Sequence, residues 1–288
     1  MAWRERREAL RAILAGSRCV RPASVYDAIS IRIAEDLGFD VGMFGGSVAS
    51  LAILGDPDLA LITLTELAEQ VRRMSRAAAL PVLVDADHGY GNALNVRRTV
   101  EELEAAGAAG LTIEDTLLPQ AFGQVGTQLI SPDEGVGKIR AALKARRDPS
   151  LVVIGRTGAA GVTDLADAMA RATAYEAAGV DALFFTGLKR RADLEAVAAE
   201  TRLPIVLGGV TDDLADPDHL AANRVRIAVQ GHAPIAAATQ AVHETLKAIV
   251  EGAGPRDLKN IASSDLMNRV MRGDAVAGRQ SAFLKIGR

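Results

Sequence analysis

A short apolar run followed by a longer helical segment recurs along this chain, and this alternation constrains the fold more than any other feature. Eight such runs are predicted as strands, at residues 18–21, 41–44, 81–84, 110–113, 151–154, 182–185, 204–207 and 225–229. The first run is weak, but most of the others are continuously apolar rather than apolar at alternate positions, so we expect both of their faces to be buried, as in a parallel sheet. Eight consecutive strand–helix units indicate an α/β protein with a closed (β/α)8 barrel of the TIM type.

Helices are predicted between and after these strands, at residues 25–37, 65–79, 93–106, 133–147, 164–178, 189–200, 216–222 and 234–250. An open, doubly wound sheet is the alternative α/β architecture. No turn between a strand and a helix carries the G-x-G-x-x-G pattern typical of dinucleotide-binding sheets, which favours the barrel. The length of 288 residues also suits one barrel, which needs about 250 residues.

The domain organisation predicted from the sequence is a catalytic barrel over residues 1–251 and a C-terminal helical extension over residues 252–288. The extension begins with Gly and Pro residues, continues with a predicted helix at 263–271 and ends in a basic tail. We expect it to pack on a neighbouring subunit. The alternative is a flexible tail.

Charge and composition exclude several classes of protein. The formal net charge of −3 does not suggest a nucleic-acid or membrane-surface partner. A single cysteine, Cys19, excludes an intrachain disulfide and argues against a cysteine-ligated metal site. The N-terminus has no secretory signal, and no apolar run approaches the roughly 18 residues that span a bilayer. We therefore expect a soluble, cytoplasmic protein that binds neither nucleic acid nor membrane.

Acidic side chains follow two neighbouring predicted strands, at the barrel end where such enzymes place their chemistry. Asp85 and Asp87 follow the third strand, and Glu114 follows the fourth. Three carboxylates at one barrel mouth would repel each other unless a cation lay among them. Oxygen ligands favour Mg²⁺ or Mn²⁺, with Asp85 as the direct ligand and the other two acting through water. The alternative is that these carboxylates cap helices or pair with arginines at the rim.

Other strand ends carry candidate anion-binding groups. Arg156 follows the fifth strand, and its fork of donors suits a carboxylate, although an ion pair with Glu114 is an equal alternative. Gly46 and Ser47 follow the second strand and could present backbone N–H groups and a hydroxyl to an anion. His232 follows the eighth strand; a lone histidine is more often structural, but this position at a strand end favours a role in the site more than elsewhere.

Three motifs resemble those of the isocitrate lyase / phosphoenolpyruvate mutase superfamily: GGSVASL at 45–51, DADHGYGN at 85–92 and TIEDT at 112–116. Within it, the chain most resembles the oxaloacetate decarboxylase family, from about residue 10 to about residue 250. The resemblance implies a (β/α)8 barrel whose last helix is exchanged between subunits in a dimer of dimers, and hence a homotetramer.

The resemblance also implies roles for the metal-site residues. Asp85 matches the metal-binding aspartate of the family, and Mg²⁺ is the expected ion, with Mn²⁺ as an alternative. Asp58, Asp87 and Glu114 match carboxylates that hold metal-bound waters in relatives.

The substrate site that the resemblance implies is built from other strand ends. Ser47, with the neighbouring amide of Gly46, matches the site for a substrate carboxylate, and Arg156 and His232 match the substrate-binding Arg and His. Asp85, Arg156 and His232 form the expected catalytic set. Two positions depart from relatives of this branch: Gly158 stands where they have Asn or Asp, and Val210 where they have Tyr.

The implied activity is that of a carboxy-lyase: Mg²⁺-dependent decarboxylation of a small α-keto dicarboxylate, oxaloacetate, to pyruvate and CO₂ through a metal-stabilised enolate. The loop LPQAFG at 118–123 lacks the catalytic cysteine of isocitrate lyase members, which argues against that reaction. Two alternatives remain open. One is a lyase or hydrolase acting on another α-keto acid or a phosphonate such as phosphonopyruvate; the other is a barrel that binds a metabolite without catalysis.

Overall fold

Eight parallel strands form one sheet in the computed structural model, which describes residues 3–285. Their order in the sheet follows the chain: β1 (Ala23–Ser24), β2 (Gly42–Phe44), β3 (Val82–Asp85), β4 (Gly110–Glu114), β5 (Val152–Thr157), β6 (Ala182–Phe185), β7 (Ile205–Gly208) and β8 (Val225–Val229). A parallel bridge between Val20 and Ile227 joins the segment before β1 to β8. The sheet therefore closes on itself, and the predicted (β/α)8 barrel is confirmed.

The first strand lies later than its prediction at 18–21. Val20 contributes an isolated bridge, whereas the regular ladder begins at Ala23, which pairs with Gly42. Pro22 lies between them and has no backbone N–H to donate, so the ladder is interrupted there. The strand pattern was obscured because Arg21 and Pro22 separate Val20 from the other buried residues of this edge.

Helices alternate with the strands along the chain. They are α1 (Trp3–Ala15), α2 (Ala28–Asp36), α3 (Gly46–Ile53), α4 (Leu64–Ala77), α5 (Ala93–Ala106), α6 (Pro132–Ala145), α7 (Ala159–Val162), α8 (Leu165–Ala178), α9 (Arg191–Glu200), α10 (Pro217–Ala222), α11 (Ala233–Val250), α12 (Ser264–Met271) and α13 (Gly273–Leu284), with α1 before β1 and α11 to α13 after β8. Local signals fix several ends: Thr63 and Glu66 form a capping box before α4, and Gly107 ends α5 in the left-handed region. Helices α1, α3, α7 and α13 lie outside the predicted set.

Helix α1 closes the N-terminal end of the barrel. Its Leu10 and Leu14 join the cluster of apolar side chains that fills the barrel interior. A Cβ on Gly110 would lie 2.8 Å from Leu10 Cδ2 and 2.9 Å from Val152 Cβ, so only glycine allows this close approach. Because Gly110 begins β4 and Val152 begins β5, the plug lies at the N-terminal ends of the strands. The active site is therefore expected at the other end, where the strands have their C-termini.

The chain divides into two compact units, of which the first ends at Gly231 and the second begins at His232. The sequence places the boundary at residue 251, whereas in this division α11 belongs to the second unit together with α12 and α13. No helix within residues 3–285 combines the length and the apolar character needed to cross a membrane.

Candidate active site

Asp85 is the last residue of β3, and its buried carboxylate accepts hydrogen bonds on both oxygens. Its Oδ1 accepts from the Oγ1 hydroxyl of Thr112 at 2.9 Å and from the backbone N–H of Asp87 at 3.3 Å. Its Oδ2 accepts from Nη1 of Arg156 at 2.5 Å. Neighbouring strands therefore hold the carboxylate that the sequence singles out as the metal ligand.

Arg156 lies between two carboxylates and an aromatic ring. It faces Glu114 across the β4–β5 ladder, where its Nη2 lies 3.0 Å from Oε2 of Glu114. On the other side, it faces Phe184 across the β5–β6 ladder. The guanidinium carbon lies 5.1 Å from the centre of the Phe184 ring, within the range of a cation–π contact. The ion pair with Glu114 that the sequence left as an alternative is present, together with a second one to Asp85.

Asp87 is buried in the loop after β3, against the start of α3. Its φ of 46° lies in the left-handed region, which costs energy for a residue with a side chain. Its carbonyl oxygen accepts from the backbone N–H of Glu114 at 2.9 Å, which fixes the loop. A Cβ on Gly46 would lie 2.9 Å from Cγ of Asp87, so Gly46 packs directly on this carboxylate. The predicted substrate segment and the predicted metal site are therefore adjacent.

Ser47 follows Gly46 in the first turn of α3. The first N–H groups of a helix have no acceptor within the helix, and the dipole there favours negative charge. This turn lies beside Asp87, through the contact of Gly46 described above. The geometry agrees with an anion-binding role for these amides, which stays a prediction.

The pKa values of the cluster reflect crowded, buried charge. Burial raises the pKa of Asp87 well above its ordinary value, and the charges of Asp85 and Glu114 raise it further. Asp58 acts in the same direction, whereas Arg156 opposes it. Burial also raises the pKa of Glu114, against the lowering effect of Arg156. For Arg156, burial alone would lower the pKa, but Asp85 and Glu114 raise it above its ordinary value, so the guanidinium stays cationic.

The donor set and the charge balance fit a hard divalent cation. With all three carboxylates ionised, as cation binding would favour, Asp85, Asp87 and Glu114 carry three negative charges against the single positive charge of Arg156, which leaves two negative charges for a divalent ion to balance. Within residues 3–285, no three His, Cys, Asp or Glu side chains are grouped so as to hold a metal ion directly. Mg²⁺ keeps several waters and takes only one or two carboxylates, so the residues present fit it.

Two further predicted site residues belong to other segments of the chain. Asp58 is exposed in the segment after α3, yet its charge acts on the pKa of Asp87. His232 is the first residue of the second unit and immediately precedes α11. Its role as a substrate-binding and catalytic residue stays a prediction.

The two positions that depart from relatives lie after β5 and β7. Gly158 precedes α7, and a Cβ there would lie 3.2 Å from Oγ1 of Thr186, which follows β6. Val210 follows β7 and is partly buried against the apolar core. Both departures therefore fall at the C-terminal ends of strands, on the same side of the barrel as the acidic cluster.

A buried network behind the cluster has no counterpart in the sequence prediction. Nη1 of Arg171 donates to Oδ2 of Asp115 at 3.1 Å and to the carbonyl of Ile130 at 3.0 Å. The phenol of Tyr175 donates to the same Asp115 oxygen at 2.9 Å. The network joins both ends of the loop between β4 and α6. The residues of this network come from separate secondary-structure elements. In the sequence, only the position of Asp115 next to Glu114 pointed to it.

Comparisons with known proteins show the family and agree with the barrel fold. The family model described as phosphoenolpyruvate phosphomutase matches residues 10–250. The chain is 74% identical, over the whole of both sequences, to an oxaloacetate decarboxylase of Rhodopseudomonas palustris. It is 28% identical to a phosphonopyruvate hydrolase solved with oxalate and Mg²⁺, with a TM-score of 0.84 over 97% of this chain and 99% of the other. A phosphoenolpyruvate phosphomutase from Streptomyces platensis subsp. rosaceus gives 30% identity and a TM-score of 0.85 over 96% and 99%.

Proposed function

Because the chain belongs to the phosphoenolpyruvate phosphomutase family, we propose that it is an oxaloacetate decarboxylase, a carboxy-lyase that converts oxaloacetate to pyruvate and CO₂. The observation that carries the proposal is the 74% identity to an oxaloacetate decarboxylase over the full length of both chains. The acidic cluster at the C-terminal ends of β3 and β4 supports it, because decarboxylation of a β-keto acid develops negative charge on the keto oxygen, and a divalent cation held by these carboxylates would stabilise that charge.

In this proposal Asp85 holds Mg²⁺ directly, and Asp58, Asp87 and Glu114 act through water; Mn²⁺ is an alternative ion. A related phosphonopyruvate hydrolase was solved with Mg²⁺ and oxalate, which supports a divalent ion in this family. When bound, the ion supplies Lewis-acid stabilisation of the charge that develops on the keto oxygen as CO₂ leaves. Burial of Asp87 and Glu114 keeps these carboxylates out of bulk solvent, which strengthens the charge interactions in the site.

In this proposal the substrate is bound by Arg156, Gly46, Ser47 and His232. Two of the five N–H donors of Arg156 point to Asp85 and Glu114, and others remain for a substrate carboxylate. The amides of Gly46 and Ser47 and the Ser47 hydroxyl would bind a carboxylate from the side of α3. We assign His232 to the far carboxylate of the substrate.

Turnover by the purified enzyme tests this proposal. Oxaloacetate with Mg²⁺ should give pyruvate and CO₂ faster than a blank without enzyme at the same Mg²⁺ concentration, which corrects for decarboxylation in solution. EDTA should abolish the enzymatic part, and excess Mg²⁺ should restore it. Asp85→Asn should lose it, whereas Asp40→Asn, an exposed carboxylate before β2, should keep it. Preference for phosphonopyruvate, or metal binding without turnover, would contradict the proposal.

We also propose that the active form is a homotetramer in which α11 is exchanged between subunits. Of the residues of α11, only Ile235 is buried, whereas Val242, Leu246, Ile249 and Val250 are exposed. Contiguous apolar surface of this kind is typical of a protein–protein contact. Light scattering of the purified chain should give four times the mass of one chain; a monomer would contradict this assembly.

A further inference from the structure

The buried hydroxyl of Thr112 donates to the carboxylate that is proposed to bind the cation. We infer that Thr112 is a positioning residue, whose hydroxyl orients Asp85 for a divalent ion. This inference rests on the metal site of the proposed function. Thr112 is fully buried in the middle of β4, and it lies opposite Asp85 in the β3–β4 ladder. The 2.9 Å hydrogen bond to Oδ1 of Asp85 is therefore set by strand register.

The side chain of Thr112 is well suited to hold a fixed donor. A β-branched residue has few χ1 rotamers, and both strands here are buried on both faces. Asp85, in contrast, ends in a torsion between its Cβ and carboxylate that is broad and soft. The rigid hydroxyl therefore determines where the softer carboxylate points.

Arg156 attracts the Asp85 carboxylate and favours its rotation, and the Thr112 hydroxyl opposes that rotation. Its Nη1 donates to Oδ2 of Asp85, and a guanidinium gains further energy when it binds both oxygens of a carboxylate. Rotation of Asp85 to offer both oxygens to Arg156 would direct them away from a cation. The hydrogen bond of Thr112 to Oδ1 opposes this rotation, and the backbone N–H of Asp87, at 3.3 Å, is the weaker of the two donors to that oxygen.

A variant of Thr112 that lacks only the hydroxyl tests the positioning role separately from packing. Thr112→Val keeps the branched shape, the burial and the strand preference of the residue while it deletes the donor. Thr112→Ser keeps the donor and removes a methyl group. A matched control is Thr201→Val, since Thr201 is also buried and its Oγ1 donates to a carboxylate oxygen of Glu176 at 2.5 Å. Thr201 precedes β7, at the opposite end of the barrel.

Titration calorimetry with Mg²⁺ alone, without substrate, measures the effect on the wild-type protein and the three variants. Loss of a hydrogen bond that orients a metal ligand commonly weakens binding by a factor of about 10 to 100, and we expect about a tenfold rise in Kd for Thr112→Val. Thr201→Val should bind as the wild type does, and Thr112→Ser, which keeps the donor but loses the branch that restricts it, should bind Mg²⁺ more tightly than Thr112→Val. Added Mg²⁺ should also raise the unfolding temperature less in Thr112→Val than in Thr201→Val, because stabilisation by a ligand increases with the ratio of its free concentration to its Kd.

The outcomes separate this inference from the proposed function. If the wild type binds Mg²⁺ and decarboxylates oxaloacetate while Thr112→Val keeps the same Kd, the positioning role is wrong and the function stands. If Thr201→Val weakens binding as much as Thr112→Val, the effect reflects general destabilisation and the inference is also wrong. If the wild type binds no Mg²⁺, the metal site and the inference fall together, whatever the activity.

Discussion

Gly46 begins α3 and packs directly against the carboxylate of Asp87. The substitution Gly46→Ala adds one methyl group there and tests whether activity depends on the position of this carboxylate. Ala is compatible with the backbone, because Gly46 lies in the first turn of a helix and not in the left-handed region. The new Cβ would lie 2.9 Å from Cγ of Asp87 and closer still to its Oδ1. Gly46→Ala should therefore disturb the carboxylate and leave the barrel intact.

The size of the disturbance follows from these contacts. Ordinary van der Waals contact for a Cβ begins near 3.4 Å. The carboxylate must retreat by about 1 Å to reach an ordinary van der Waals separation. The main chain of Asp87 cannot follow easily, because its carbonyl accepts the N–H of Glu114 at 2.9 Å. A misplacement of about 1 Å at a reacting site can reduce the rate about 100-fold, so kcat/KM for oxaloacetate should fall by about that factor.

Steady-state kinetics at saturating Mg²⁺, together with thermal unfolding, tests this expectation. Gly137→Ala is the matched control, since Gly137 lies within α6 and a Cβ there meets nothing within 4 Å. The control should keep its activity and gain a little stability, because Ala is the better helix former. Full activity of Gly46→Ala would refute the packing argument, and an equal loss in both variants would show that the effect is not local to Asp87.

Two further variants test the framework around the site. Tyr175→Phe removes the buried hydrogen bond to Asp115 and should lower the free energy of unfolding by about 1–3 kcal/mol in urea denaturation; no loss would mean that Arg171 alone satisfies Asp115. Although burial would raise the pKa of Asp148, hydrogen bonds from Ser150 and the pairing with Arg7 lower it to about 2, below the ordinary 3.8. This group therefore adds stability above about pH 4 that is lost as the pH falls towards 2. The stability difference between wild type and Asp148→Asn should shrink over that range, and a constant difference would contradict the assigned cause.

The parts of the fold that the sequence predicts are those governed by burial. Most of the strands from β2 to β8 contain a continuous apolar run, and a prediction from such a run does not depend on the details of packing because both faces of the strand are buried. The same rule brings Asp85, Glu114 and Arg156 to one end of the barrel, since the carboxyl ends of parallel strands meet there. This prediction, that the three residues meet at one end of the barrel, depends only on strand direction and not on side-chain geometry.

The contacts that the sequence does not predict depend on register and on distant elements. Thr112 faces Asp85 only because the ladder pairs these two residues, and a shift of one residue would turn the hydroxyl to the other face. Tyr175 and Arg171 reach Asp115 from α8, across more than fifty residues of chain. No periodicity encodes such a contact, so the network is visible only once the helices are packed.

Arg156 shows why a structural and a functional interpretation of one residue need not compete. The structure has the ion pairs with Asp85 and Glu114, and the ring of Phe184 covers the guanidinium. A long side chain held in this way has already lost most of its rotamer freedom, which in a free arginine would oppose binding. Binding of a substrate carboxylate therefore costs this arginine less side-chain conformational entropy, and its planar guanidinium is already oriented for the carboxylate. Lysine could keep one charge contact but not the two that fix this plane, so the ion pairs are part of the reason that arginine suits the site.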